Sequence, residues 1–145
     1  MVSDTWFTEI ESTINTIIKY NLVDRVDAPF PDLTCTTSSQ SETIENVDIF
    51  PTLYIHLLPP VETGSDLYNI DVTAIRATFE FQIYSDKSES DCMTIMNQCI
   101  KEMKSLRFNV AMFPDPQTYD KKYFAVARFS RVIASGDADI VPRIE

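Results

Sequence analysis

The single histidine of the chain, His56, is the residue most able to take part in acid–base chemistry. Any serine, threonine or cysteine nucleophile activated by a histidine would have to use it. His56 lies in a strand-like stretch between Ile55 and Leu57, without a nucleophile motif around it. A small hydrolase built on His56 remains an alternative, but the pattern does not favour one.

The three cysteines, Cys35, Cys92 and Cys99, favour buried reduced thiols over a disulfide or a metal site. Cys92 and Cys99 lie seven residues apart on a predicted helix, which separates their Cα atoms by roughly 10 Å. That distance exceeds the reach of a disulfide. A zinc site would need the three thiols and His56 to converge from separate elements at unusual spacings. We therefore predict no metal and no cofactor.

The carboxylates also fail to define an active site. Asp137 with Asp139, and Glu89 with Asp91, lack the pattern of a calcium loop. A solvated turn and a helix start explain them better. With two glycines in the chain, no glycine-rich phosphate loop is possible. The sequence therefore predicts no catalytic, cofactor-binding or metal-binding residue, and no enzyme.

Charge is distributed unevenly along the chain. The net charge is −10, and between Arg25 and Arg76 there is neither lysine nor arginine, while residues 26–75 hold eight acids. Proteins that bind nucleic acids neutralise phosphates with these basic residues, so we expect no specific nucleic-acid binding. Simple solubility is the competing explanation of the acidic half.

Length and composition indicate one folded domain, residues 1–145. The chain is 44% hydrophobic and 11% aromatic, which is too apolar for disorder. No apolar run approaches the roughly 20 residues that span a bilayer, and the N-terminus does not resemble a signal peptide. We expect a protein made in a cytoplasm and not inserted in a membrane.

Hydrophobic periodicity predicts the elements. "SDTWFTEIESTINTIIKYNLVD" has the spacing of a helix, with Phe7, Ile10, Ile14, Ile17 and Asn21 on one face. "LTCTTSS" and "FPTLYIHLLPP" are predicted strands, and "PPVETGSD" is a predicted turn. From Ile75 to Tyr84 apolar and polar residues alternate strictly, but the phase is opposite before Ala74, which indicates a bulge or a separate arm.

A second helix and a final hairpin complete the pattern. "SDKSESDCMTIMNQCIKEMKSLRF" begins at a Ser88 cap and carries a stripe through Cys92, Met96, Cys99 and Met103. "FNVAMF" and "YFAVARFSRVI" are predicted strands joined by the turn "PDPQTYDKK", although Arg131 interrupts the inward phase. We predict an α+β fold: an antiparallel or mixed sheet of four to five strands, with two helices packed on one face.

The polar faces of the two longest predicted strands carry Arg76, Glu80 and Arg128. Exposure of these charged side chains to solvent would explain why they lie on the polar faces. A neighbouring subunit would explain it equally, because complementary charges fix the register between surfaces. We take these three residues as candidate subunit-interface residues.

The order of elements resembles a known family. An amphipathic first helix leads into "IFPTLYIHLLPP", then "TAIRATFEFQIYSD" with its Ser/Asp helix start, "CMTIMNQCIKEMKSLRFNVAM", and a hairpin ending in "YFAVARFSRVIASGDADI". This succession, over roughly residues 4–140, is similar to the tail terminator (tail completion) proteins of long-tailed bacteriophages. The family has no active-site motif to transfer, so no residue role follows from the resemblance.

The resemblance implies a virion protein at the tail–neck junction. It would form a hexameric ring that caps the tail tube, stops its polymerisation and meets the head or neck connector. DNA would pass through that ring, so an acidic loop, Ser38–Asp48 or Pro59–Asp66, is expected to face the lumen or the tube. The acidic residues of these loops are Glu42, Glu45, Asp48, Glu62 and Asp66. The alternatives are a head–tail connector or neck-completion subunit, and a monomeric α+β binding domain.

Overall fold

The computed structural model describes residues 6–37, 50–65, 72–137 and Ile140, and these residues form an α+β fold with a mixed sheet and two helices. The helices are α1 (Ile10–Lys19) and α2 (Glu89–Ser105). The strands are β1 (Thr34–Thr36), β2 (Thr52–Leu57), β3 (Val61–Ser65), β4 (Val72–Ser85), β5 (Asn109–Met112), β6 (Gln117–Tyr119) and β7 (Lys122–Ala134). The predicted class is therefore confirmed.

The sheet is organised around the long antiparallel pair of β4 and β7. Its order is β1-β2-β4-β7-β5, with β3 also on β4 and β6 also on β7. β1 and β2 are parallel, and the remaining pairs are antiparallel. The predicted alternation in β4 is confirmed, since its odd-numbered residues from Ile75 to Ile83 are all buried. They pack in one core with both helices, so the helices lie on the same face of the sheet.

The prediction of four to five strands is wrong, because two segments predicted as turns form the short strands β3 and β6. β2 and β3 both pair with the same edge of β4, and β5 and β6 both pair with the same edge of β7. Pro59 and Pro60 separate the first two strands, and Pro114 and Pro116 separate the second two. Proline has no N–H to donate to a ladder, so it interrupts pairing without reversing the chain.

The chain reverses instead at Asp120 and Lys121, between β6 and β7. Both residues have positive φ, 44° and 64°. This is the geometry of a two-residue type I′ turn, whose twist matches that of the flanking strands. Aspartate tolerates this conformation better than lysine does, so Lys121 is the strained member of the turn.

The first helix is less regular than predicted. A 3-10 turn (Trp6–Glu9) precedes α1, and a π-helical turn (Tyr20–Asp24) follows it. The fully buried stripe is Trp6, Ile10, Ile14, Ile18 and Leu22, at four-residue steps. The predicted stripe also contained Phe7, Ile17 and Asn21. These three residues lie one position to the side of the buried stripe and are only half-buried. Ser3 and Asp4, the first residues of the predicted helical segment, lie outside the described residues.

The second helix begins and ends as its sequence dictates. The Ser88 hydroxyl accepts the backbone N–H of Asp91 at 3.0 Å, which confirms the predicted cap. At the other end Phe108 N–H donates to the Met103 carbonyl at 3.0 Å, and Arg107 N–H donates to Lys104 at 2.9 Å. Arg107 takes a positive φ of 68°. This is the Schellman ending, with arginine in the place usually held by glycine.

The change of phase near Ala74 coincides with irregular pairing between β3 and β4. The register shifts twice between Glu62 and Ser65, opposite the start of β4. Pairing with β7 is nevertheless continuous from Ala74 to Ser85. The first shift leaves an extra residue on β3 and the second leaves one on β4, so an irregularity lies where the sequence predicted it, in the pairing of β3 with β4. Ile70 lies outside the described residues.

Candidate functional site

The candidate site is the sheet face opposite the helices, formed by β2, β4 and β7, which we call the outer face. Its central row is His56, Glu80 and Arg128, which stand opposite one another across the three strands. Strand alternation puts them there, because their neighbours Ile55, Phe79 and Phe129 point into the core. All three predicted interface residues, including Arg76, belong to this face.

Glu80 and Arg128 form an ion pair. The Nε and Nη2 atoms of Arg128 donate to the Oε2 atom of Glu80 at 3.0 and 2.9 Å. The Arg128 side chain is 46% exposed, whereas that of Glu80 is 15% exposed. The carboxylate is thus held within the sheet surface, and the guanidinium is presented outward.

The other Glu80 oxygen extends the network along β4. Gln82 donates from Nε2 to Glu80 Oε1 at 2.6 Å, and the Tyr84 hydroxyl donates to Gln82 Oε1 at 2.7 Å. Burial, then the nearby Glu80 and Tyr54, raise the pKa of Tyr84, so its phenol remains a donor. Arg128, Glu80, Gln82 and Tyr84 therefore form one ordered chain of hydrogen bonds, the outer-face network.

His56 contacts a carboxylate rather than a nucleophile. Its Nδ1 atom lies 3.4 Å from Glu11 Oε2, and the same oxygen accepts the backbone N–H of Leu57 at 2.8 Å. The imidazole also stacks on Tyr54, with ring centroids 5.8 Å apart. Within the described part of the chain, His56 forms no hydrogen bond to a serine, threonine or cysteine. Glu11 therefore accepts a hydrogen bond from a backbone N–H of β2 beyond the point where the shorter β1 has ended. This is a structural role.

Arg76 occupies the opposite end of the outer face. It stands between Val61 of β3 and Val132 of β7, and all three side chains are exposed. It makes no ion pair with any residue in the described ranges. The outer face therefore combines an ordered ionic network at one end with an exposed cation flanked by valines at the other.

The predicted lumen-facing acids are described only in part. Glu42, Glu45, Asp48 and Asp66 lie outside the described residues. Glu62 is exposed, but it belongs to β3 and not to the predicted loop. The correction has the same cause as the strand count, since Pro59 and Pro60 interrupt pairing along β4 without ending it.

The sequence predictions missed a buried ionic cluster at the end of β7. Arg131 is 8% exposed and projects into the core face. Its Nη1 atom donates to the Leu106 carbonyl at 2.7 Å, and its Nη2 atom donates to Asp137 Oδ2 at 3.1 Å. Its guanidinium carbon lies 6.0 Å from the centre of the Phe108 ring. The interrupted apolar phase at Arg131 was the signal that could have located the cluster.

Asp137 completes this Arg131 cluster. Its Oδ2 atom also accepts the backbone N–H of Ala134 at 2.8 Å, which closes the turn after β7. The cluster thus joins the end of α2, through Leu106, to the exit of the last long strand. Asp137 lies in the turn after β7, as predicted, and it is partly solvated, but its carboxylate also pairs with the buried Arg131, which the sequence did not indicate. Asp139 lies outside the described residues.

The cysteines are free thiols, as predicted. Burial raises the pKa of Cys35 and of Cys92 to about 12. Burial also raises the pKa of Cys99, with smaller contributions from Cys35 and Glu102. A thiol that stays protonated at neutral pH is a poor nucleophile and a poor metal ligand.

The described residues contain neither a cluster of metal-ligating side chains nor a helix able to span a membrane. No group of three or more His, Cys, Asp or Glu side chains among them is arranged to hold an ion. None of the helices in the described ranges is both long enough and apolar enough to cross a bilayer.

No family model matches the chain, and no curated protein matches it by sequence.

Proposed function

We propose that this chain is a structural virion protein, a tail terminator whose subunits form a ring on the last layer of the tail tube. The ring would stop tube polymerisation and join the tail to the head or neck connector. The observation that carries the proposal is the outer face. Both helices pack on the opposite side of the sheet, and the outer face holds an ordered ionic network with its guanidinium directed outward.

The outer-face network suits an interface between subunits because it is rigid before any contact forms. Glu80 is fixed by both of its oxygens, so Arg128 is presented in one position. A preorganised charge loses little side-chain entropy on binding, and complementary charges select register more than they add affinity. Arg76, with Val61 and Val132 beside it, adds a cation set in exposed apolar surface.

The acidic composition supports a position around a DNA passage. Phosphates would be repelled by a wall that carries acids and few cations, so DNA would slide without adhering. We assign this role to one of the two acidic segments, Ser38–Asp48 or Pro59–Asp66. The exposed carboxylate of Glu62 belongs to the second segment.

Light scattering and tail length together test this proposal. The purified chain should form a closed oligomer, at least on its tube, and tails assembled without it should be abnormally long. A ring that binds the head connector but leaves tail length unchanged would support the connector alternative. A chain that stays monomeric, and is absent from virions, would contradict both.

The enzyme alternative is separated by His56→Gln. A structural protein with this change should assemble nearly as well as wild type, since the His56 imidazole pairs with Glu11 and stacks on Tyr54 and is not bonded to a nucleophile among the described residues. Loss of a hydrolytic activity with assembly intact would support the hydrolase instead.

A further inference from the structure

Two strands at opposite edges of the sheet each leave one side uncovered. Among the described residues, β5 pairs only with β7 and β3 pairs only with β4. Three of the four residues of β5 are exposed, as are Val61, Glu62 and Thr63 of β3. Some of the backbone N–H and C=O groups of an edge strand point away from its one partner. Both edges are therefore able to pair with a further strand.

The edge of β5 is uncharged. Residues 109–113, from Asn109 to Phe113, contain no charged side chain and no proline. Proteins usually protect an exposed edge strand from unwanted pairing with charged side chains, lysine above all, or with proline. Met112 and Phe113 instead add apolar surface, since they are 38% and 73% exposed. This composition is typical of a strand that a partner covers.

Strand direction shows how a second copy would meet this edge. β3 is antiparallel to β4, β4 to β7, and β7 to β5. β3 and β5 therefore run in opposite directions at the two edges of the sheet. When a second copy lies beside the first in the same orientation, its β3 meets β5 as an antiparallel neighbour. The outer faces of the two sheets then lie on the same side, so one sheet continues into the next.

The other terminal strand, β1, is a poorer partner for β5. It is parallel to β2, which is antiparallel to β4, so it runs in the same direction as β3. Direction therefore does not distinguish β1 from β3, but exposure does. All three residues of β1 are half-buried, whereas Val61, Glu62 and Thr63 of β3 are exposed. The open edge on this side of the sheet is β3.

The exposed apolar side chains of the two edges also match. Met112 and Val61 both stand in rows of the outer face. Pairing that sets Met112 opposite Val61 of the next copy also sets Phe113 opposite Pro60. All four residues are exposed. Apolar side chains directly opposite one another across an antiparallel pair stabilise the sheet, so this register covers apolar surface from both copies.

Both edge strands are irregular, which suits a closed assembly. The register of β5 shifts between Val110 and Met112, and that of the β3–β4 pair shifts twice. Bulges bend a strand and increase its local twist, and a continuous sheet needs such bends to curve and close. A heterologous contact that repeats from copy to copy forms a ring when its rotation closes and an open fibre when it does not.

We propose that β5 of one copy pairs antiparallel with β3 of the next, so that the sheet continues from subunit to subunit around the ring. This contact rests on the proposed ring and supplies its head-to-tail direction. A ladder between two short strands is smaller than the roughly 1,200–2,000 Å² that specific interfaces bury. The remaining area comes from side chains on either side of the junction, including the outer-face rows that contain Arg76 and Arg128.

A lysine placed at either edge tests the pairing. Met112→Lys and Val61→Lys should each raise the protein concentration at half-assembly by about tenfold, because a charge at the junction opposes strand pairing. Val26→Lys is the matched control, since it adds the same charge at a residue that is 88% exposed and lies outside the sheet. Circular dichroism should stay native in all three variants. Equal effects at Met112, Val61 and Val26 would overturn the proposal.

Disulfide formation tests the direction of the contact. Assembled chains that carry both Met112→Cys and Val61→Cys should form a ladder of linked subunits when oxidised, whereas neither single variant should. Within one chain β3 and β5 are three strand spacings apart, roughly 14 Å, which exceeds the reach of a disulfide. Linked dimers of the Met112→Cys chain alone would indicate two-fold pairing of β5 with β5 and contradict the proposal.

Hydrogen exchange separates this contact from the proposed function. In rings on tail tubes, the amides of residues 61–65 and 109–113 should exchange more slowly than in the monomer. Normal rings without this protection would remove the edge contact and leave the terminator proposal intact. A wild-type chain that is monomeric at every concentration, and missing from tails, would remove both.

Discussion

Replacing Arg131 with methionine should destabilise the fold far more than the same replacement of Arg128. The two arginines lie three residues apart on β7 and on opposite faces, and each pairs with one carboxylate. Methionine retains most of the stem and removes the charge. The side chain of Arg131 is 7% exposed and that of Arg128 is 46% exposed, so burial is the main difference between them.

The expected magnitude follows from the contacts. Removing one partner of a buried ion pair costs about 3–5 kcal/mol, since the other charge is left uncompensated. Arg131→Met also leaves the Leu106 carbonyl without its charged donor, a bond of 2.7 Å. Partial exposure of Asp137 reduces the cost, because water can solvate that carboxylate. We therefore expect a loss of about 3 kcal/mol for Arg131→Met. For Arg128→Met we expect about 1 kcal/mol, because the Glu80 carboxylate that it leaves, although 15% exposed, keeps its hydrogen bond from Gln82.

Urea unfolding followed by tryptophan fluorescence measures both losses. Trp6 is the single tryptophan and is 2% exposed in the native protein, so its emission reports on the core. The double variant Arg131→Met with Asp137→Asn should lose less than the sum of the two single variants, by about 1–3 kcal/mol. An Arg131→Met chain within 0.5 kcal/mol of wild type, or no more affected than Arg128→Met, would refute the reasoning.

Further predictions concern the turn, the thiols, the outer face and the acidic segments. In thermal melts, Lys121→Gly should raise the free energy of unfolding by about 0.5–1 kcal/mol, because glycine accepts the positive φ of this turn position. Lys101→Gly, inside α2, is the control and should lower the free energy of unfolding by about 1 kcal/mol. The three thiols should react slowly with a disulfide reagent at pH 8. The free energy of unfolding should fall between pH 9 and about 12, since unfolding returns the pKa of Cys35 and Cys92 from about 12 to 9.0. A free energy of unfolding that does not change over this pH range would contradict the burial of these thiols. Arg76→Glu and Arg128→Glu should weaken ring formation in light scattering while circular dichroism stays native, and unchanged assembly would assign both to open solvent. Replacing the acids of one acidic segment with lysine should slow DNA ejection without preventing tail assembly, and the defect should be smaller at higher salt. A structure that places both segments on the outer rim of the ring would exclude their role around the DNA passage.

The sequence was most informative where a simple period continued over many residues. The alternation from Ile75 to Ile83 located the core face of β4, and with it the outer position of Glu80. The Ser88 cap located the start of α2. These features are local, because strand alternation and helix capping depend on residues only a few positions apart.

Features that depend on distant contacts were not predictable in the same way. Charge patterning placed Glu80 and Arg128 on polar faces, but it could not reveal that they pair with each other, since register is set by the whole β4–β7 ladder. Arg131 was recognised only as an interruption, because its partners Leu106 and Asp137 come from two other segments. The segments that contain Pro59–Pro60 and Pro114 with Pro116 were predicted as turns. Proline removes an N–H donor from the sheet whether or not the chain turns there, so it does not by itself predict a turn.

Electron microscopy of the purified chain incubated with tail tubes tests the central claim most directly. The terminator proposal predicts one ring of six subunits at one end of each tube, with the outer face or a sheet edge of every subunit against its neighbour. Tubes should then stop growing when free tube protein is added. Bare tube ends that continue to elongate, with the chain remaining monomeric in solution, would contradict it.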